Sequence, residues 1–192
     1  QMHHPMADFD SVEQVLTYPF PELVRGEVPL ENFGDKVTMG HMQCTVWEQS
    51  WYLRGMENLL MDMMMEDLIA TAILDKVTDI SCQNAIAYAQ AGADILFLGD
   101  DIGMQHTPLM SRELYCQWIK PRLTRVIREA RKKKEDILIF YHSCGYVEPF
   151  IPDLIEAGVD VLDPVQPECM DFETIHEQFG NKISFHGTIG TQ

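Results

Sequence analysis

In the stretch FYHSCGYVEP, residues 140–149, a histidine and a cysteine stand two apart, His142 and Cys144, directly behind the apolar run of residues 137–141. In extended chain, residues i and i+2 point to the same side. Both side chains could therefore reach one ion, and imidazole nitrogen with thiolate sulfur suits Zn²⁺. Two protein ligands do not complete such a site, because catalytic zinc usually takes three and keeps one position open. The candidates for the third are Cys169, an acidic residue from the same neighbourhood, or a ligand beyond Gln192.

Other groups capable of chemistry fall at comparable places. Asp100 and Asp101 follow the apolar run 94–98, Asp163 and Gln166 follow 159–162, and His186 follows 183–185. Each has an ordinary reading as well: the aspartates could cap helices or turns, and His186 could be a satisfied core histidine. In parallel α/β folds, ligands bind at the carboxyl ends of the strands. Four successive strand ends carrying such groups make a shared rim the better explanation.

The elements that would position this rim can be read from periodicity. Residues 1–35, with Pro5, Pro19, Pro21 and Pro29, read as a loop-rich covering segment with one short helix near 11–16, where Ser11 and Gln14 could form a capping box. Residues 36–42 resemble a strand. Residues 46–91 read as helical almost throughout. Their run Met61, Met63, Met64 and Met65 reads as adaptable core packing, Asp75 as the cap of a helix reaching about Gln90, and Gly92 as its terminator. Strands are expected at 94–98, 136–141, 159–162 and 183–185. Helices are expected from Ser111 to about Ala130, divided or kinked by Pro121, then over 147–157 and 172–179. Pro149 and Pro152 fit because they lie near a helix start.

The segments AGADIL (91–96) and AGVDVL (157–162) echo each other 66 residues apart. That offset equals two βα units of roughly 30-odd residues each. Repeated alternation with continuous apolar strands implies a parallel sheet covered by helices. Five strands are visible, and a (β/α)8 barrel typically needs about 250 residues. The fold class expected is therefore α/β, a partial TIM-type barrel of about five βα units forming one domain over 1–192. The alternative is a complete doubly wound open sheet. Against it, no Gly-rich phosphate loop follows the first strand.

Composition narrows the function classes. Hydrophobic residues make up 46% of 192, enough for a packed core, and formal net charge is −16. The only basic run, Arg131 to Lys134, sits where a helix should end and complements its dipole, so nucleic-acid binding is excluded. No apolar stretch is long enough to span a bilayer, and no signal peptide opens the chain. Five widely spaced cysteines without a Cys-x-x-Cys pair fit a reducing, cytoplasmic setting. Beginning at Gln1-Met2-His3, the chain reads as starting partway through a longer protein.

The segments GDDIGMQHTPLMSRELYCQWIKPRL, YHSCGYVEPFIPDLIEAGVDVLDPVQPECMD and FGNKISFHGTIGTQ, with WYLRGMENLLMDM, resemble the uroporphyrinogen decarboxylase superfamily over essentially residues 2–192. The resemblance implies a TIM-type barrel whose N-terminal and C-terminal parts lie outside this chain. It also implies one of two activities, porphyrinogen decarboxylation or methyl transfer between a corrinoid and a thiol. His142 and Cys144 match the His-x-Cys zinc pair of the cobalamin-dependent methyltransferase branch, which takes its last cysteine ligand from near its C-terminus. Asp100-Asp101-Ile102-Gly103 matches the Asp-Ser-x-x-Gly pattern of the decarboxylases only in part.

On the methyltransferase reading, zinc held by His142 and Cys144 would deprotonate a substrate thiol, whose free pKa is about 8.5. Asp100 or Asp101 would supply a further ligand or orient His142. With His186 they form the expected catalytic set, while Asp163 and Gln166 would contact substrate. The partners implied are a small-molecule thiol and a corrinoid (methylcobalamin) or corrinoid protein. The decarboxylase reading needs no metal but needs cations for a polycarboxylate substrate, and the rim offers acids instead. A third reading is an inactive or non-enzymatic fragment of a corrinoid-binding assembly, because five of eight strands leave unpaired edges.

Overall fold

The computed structural model describes residues 2–21 and 34–190. Five strands lie in one sheet in the order β1-β2-β3-β4-β5, every pair parallel: Met39–Met42, Ile95–Gly99, Leu138–His142, Val161–Asp163 and Ser184–Phe185. Each strand pairs with the next in sequence. A doubly wound sheet would reverse its order at a switch point. Sequential winding is the arrangement of part of a β/α barrel, and the open-sheet alternative falls away.

Between β1 and β2 come α2 (Trp47–Arg54), α3 (Met56–Met64) and α4 (Leu68–Ala91). Helices α5 (Arg112–Trp118) and α6 (Lys120–Arg131) connect β2 to β3. A 3₁₀ turn at Glu148–Phe150 and α7 (Ile151–Ala157) connect β3 to β4, and α8 (Phe172–Phe179) leads to β5. The short α1 (Val12–Thr17) packs on α4. Gln14 Oε1 accepts from the Ser11 amide at 3.3 Å, as the capping-box pattern requires. The remainder of the expected covering segment, residues 22–33, lies outside the described residues.

Strand alternation sorts side chains into two sets. Leu96, Leu98, Ile139, Tyr141 and Leu162 are fully buried against the helices, with Leu123, Val126, Ile127 and Leu154. The opposite, concave face carries His41, Phe97 and Phe140, ring beside ring at 4.7 and 5.5 Å. That face leads up to His142, whose ring lies 6.0 Å from Phe97.

Pro121 falls in the first turn of α6 and separates it from α5, where its missing N–H is harmless. The echo is a true structural repeat. Gly92 and Gly158 end α4 and α7 in the left-handed region, at φ 91° and 102°. The aspartate two residues on then caps the preceding strand: Asp94 accepts the Thr38 amide at 2.8 Å and Asp160 the Ile139 amide at 2.7 Å.

Two expectations are corrected. Asp75 does not cap a helix: it lies inside α4, which starts at Leu68 with the Asp67 carboxylate accepting the Ile69 amide. The methionine run is not core. Met63 is buried, but Met61, Met64 and Met65 are 58, 74 and 75% exposed.

Candidate metal centre

The carboxyl ends of the strands gather the expected residues on one rim, and strand parity decides which of them share a side. In β3, Leu138, Phe140 and His142 face the concavity, and Cys144 follows in the same phase. Gly99 pairs with His142 across the sheet, so Asp101, two residues on, returns to the same side. Asp100 has the opposite phase and points back with Leu98.

The result is a cluster of Asp101, His142 and Cys144 whose ligand atoms all lie within 4.8 Å of one another. His142 Nε2 is 3.5 Å from Cys144 Sγ and 3.8 Å from Asp101 Oδ1. Tetrahedral zinc ligands at about 2.0–2.3 Å stand about 3.3–3.7 Å apart, so the His–Cys spacing is that of a zinc pair and the Asp–His spacing is slightly wide. The third candidate ligand is thus an acidic rim residue, Asp101. Cys169 stays outside the cluster, its thiol 3.8 Å from Gln166 Oε1.

The surroundings fix each donor. Asp163, at the end of β4, sits 2.8 Å from His142 Nδ1, which turns Nε2 toward the cysteine. Its other oxygen is 2.6 Å from Nδ1 of His186, so one carboxylate orients both rim histidines. Asp101 Oδ1 accepts the Cys144 amide at 2.8 Å. Gln166 Oε1 accepts the Gly145 amide at 2.5 Å and so steadies the loop behind the thiol rather than facing into the cluster.

Cys144 has its thiol pKa raised, by burial first and then by the charges of Asp101, Asp163, Cys169 and Glu48. The carboxylates that keep this thiol protonated are the charges that would favour a bound dication. Nitrogen, sulfur and oxygen donors in a negative setting fit zinc, and His142, Cys144 and Asp101 are the residues that would hold it.

Asp100 is fully buried and serves as a cap: its carboxylate accepts the Val46 amide at 2.9 Å and the Glu48 amide at 2.9 Å, at the start of α2. Burial pushes its carboxyl up to about 7, against the pull of the Glu48, Val46 and Trp47 amides. It holds the rim together from beneath and does not join the cluster.

Sequence reasoning missed the contribution of β1. Just past it, Cys44 adopts φ 66°, uncommon for a residue with a side chain. Its sulfur lies 3.7 Å from the Tyr52 hydroxyl, which donates to Glu48 Oε1 at 2.9 Å. The other Glu48 oxygen accepts the Asp101 amide at 3.3 Å. Asp100 caps α2, and Glu48 of α2 in turn holds Asp101. The available signal was positional: β1 ends at the same rim as the other strands.

The two loops bearing Asp101 and Cys144 touch through glycines. A Cβ on Gly145, which has φ 85°, would lie 2.7 Å from Gly103 C and Met104 O, and one on Gly103 would lie 2.7 Å from Cys144 O. Gly145→Ala should therefore destabilise the protein by about 2–3 kcal/mol in urea unfolding and weaken metal binding as Cys144 shifts. An alanine variant with unchanged midpoint and unchanged affinity would contradict this close approach.

The family model described as Uroporphyrinogen decarboxylase (URO-D) matches residues 30–191. A solved methyltransferase from Methanosarcina mazei superposes with a TM-score of 0.67 at 21% identity, covering 81% of this chain and 44% of that one. At that identity the likeness is one of fold, and the chain spans less than half of that structure's length. No curated protein matches the sequence.

Proposed function

The chain belongs to the uroporphyrinogen decarboxylase family, and on that footing we propose that it is a zinc-dependent methyltransferase working between a corrinoid and a small thiol. The observation that carries this reading is the meeting of Asp101, His142 and Cys144 within 4.8 Å at the strand ends. Zinc bound there would supply Lewis acidity that keeps a substrate thiol as its thiolate at neutral pH.

The chain's own residues do the rest. His142 offers Nε2 because Asp163 engages Nδ1. Asp101 braces the Cys144 amide while facing His142, and Glu48 braces Asp101 in turn. His186, two-thirds exposed and held by Asp163, is the residue assigned on this reading to take the proton released by an incoming thiol. Phe97 and Phe140, stacked ring beside ring on the same face of the sheet as His142, would give the site an apolar floor.

A second reading, metal-free porphyrinogen decarboxylation, draws on the family description and on Asp101, whose side chain is nearly half exposed. It calls for cations. Arg54, Arg112, Lys120 and Arg131 are instead engaged by Asp62, Asp153 and Asp160, and among the described residues the ion pairs of the rim carboxylates Asp101 and Asp163 are with His142 and His186 rather than with Lys or Arg. The test is an optical assay of methylcobalamin demethylation with simple thiols, run beside a porphyrinogen decarboxylation assay. Zinc-dependent demethylation supports the proposal; decarboxylation indifferent to chelators would replace it.

Asp163→Asn provides a graded check. Loss of the charged orienter should weaken zinc binding by about 10–100-fold in a competition titration while leaving all three donors in place. An unchanged affinity would show that Asp163 does not position His142.

A further inference from the structure

We infer that the turn between α3 and α4 is a docking site for a basic amphipathic helix of a partner protein. Met61 and Met64 on the last turn of α3, Met65 just beyond it and Leu68 opening α4 are 58, 74, 75 and 68% exposed. Single exposed apolar residues are ordinary, but four within eight positions form a patch. Helical neighbours at i, i+3 and i+4 lie side by side, so Met61, Met64 and Met65 form one stripe. Methionine's unbranched, polarizable chain suits a face that must mould to a partner.

The charges around the patch select the partner. From 57 to 67 the chain carries Glu57, Asp62, Glu66 and Asp67 and neither Lys nor Arg. Asp62 is taken by Arg54 and Asp67 by its cap. Glu57 and Glu66 are exposed, and among the described residues the side-chain partner of Glu66 is the neutral Gln117 amide, at 3.1 Å. An apolar stripe edged by carboxylates complements a helix with an apolar stripe edged by Lys or Arg. A second copy of this chain would bring the same carboxylates against each other.

Location adds a purpose. Helix α4 leads into β2, whose neighbours are all parallel, so α4 starts at the rim end and runs back along the sheet. The patch lies at the end of the molecule where the strand termini gather Asp101, His142 and Cys144. A partner seated there would stand beside the rim. The inference does not rest on the zinc reading, since none of these residues belongs to the cluster.

The test uses a synthetic Leu/Lys amphipathic helix, a scrambled peptide of identical composition and a Leu/Glu helix, titrated calorimetrically into the protein. The Leu/Lys helix should bind, at least about tenfold more tightly than its scramble, and the Leu/Glu helix should not. Met64→Ser/Met65→Ser should weaken it about tenfold, and Glu57→Gln/Glu66→Gln several-fold with a reduced salt dependence. Equal binding of helix and scramble, or unchanged affinity in the methionine variant, would overturn the proposal. So would a concentration-dependent dimer in sedimentation that Met64→Ser/Met65→Ser abolishes, which would assign the face to a second copy.

Discussion

Alanine in place of His142 is expected to abolish zinc retention, from about one equivalent to less than about a tenth after dialysis. Thiol methylation should fall with it, by two orders of magnitude or more, because even residues that only orient a ligand are worth 10–100-fold. His142 is the hub of the cluster. Its Nε2 faces both Cys144 and Asp101, and its Nδ1 engages Asp163. The side chain is about a quarter exposed, so its removal leaves no large cavity, and the circular dichroism spectrum should be unchanged. A folded His142→Ala protein that still binds zinc stoichiometrically would remove His142 from the metal site.

The second large effect concerns Asp153. Its carboxylate is fully buried on α7 and receives Arg112 at 2.7 Å and Lys120 at 2.8 Å, tying α5 and the start of α6 to α7. Asp153 is buried but Arg112 and Lys120 keep access to water at 53 and 21% exposure, so Asp153→Ala loses two charge-assisted bonds without stranding a buried cation and should cost about 2–3 kcal/mol, roughly 4–12 °C in Tm. Burial raises the Asp153 pKa, but the bonds from Arg112 and Lys120 outweigh it and the net direction is down. A depressed folded-state pKa contributes stability above the unfolded carboxylate value of about 3.9, lost as pH falls through the folded value. Urea unfolding should therefore show a gap between the native protein and Asp153→Asn that is full at neutral pH and narrows below about pH 4. A gap that stays constant into acid, or widens there, would contradict the ionised pair.

How much of this could be read from the chain alone depended on the kind of signal. Apolar runs marked the strands from β2 onward, residues 36–42 were read as resembling a strand, and the repeated Ala-Gly-x-Asp marked two structurally equivalent βα units. Strand starts were read one to three residues early. Asp94, Asp136 and Asp160 precede the pairing, and two of them cap the neighbouring strand, which propensity cannot distinguish from joining it. His142 and Cys144 stood out because their spacing and strand-end position coincide. Asp100 and Asp101 looked equivalent as neighbours, yet the two-residue period of β2 sends one beneath the rim and the other into the cluster. The α3 stripe was misread because one buried methionine, Met63, lies among three exposed ones, and hydrophobicity alone does not say which face packs. Glu48 and Tyr52 gave no motif at all; they matter only because α2 folds back over the end of β2.

The central claim is that His142, Cys144 and Asp101 form one metal site. X-ray absorption at the zinc K-edge of the zinc-loaded protein tests it most directly. The account predicts sulfur scattering at about 2.3 Å together with nitrogen and oxygen neighbours at about 2.0–2.2 Å, with the sulfur contribution lost in Cys144→Ser. Zinc surrounded by nitrogen and oxygen alone, or a sulfur contribution that survives Cys144→Ser intact, would contradict it.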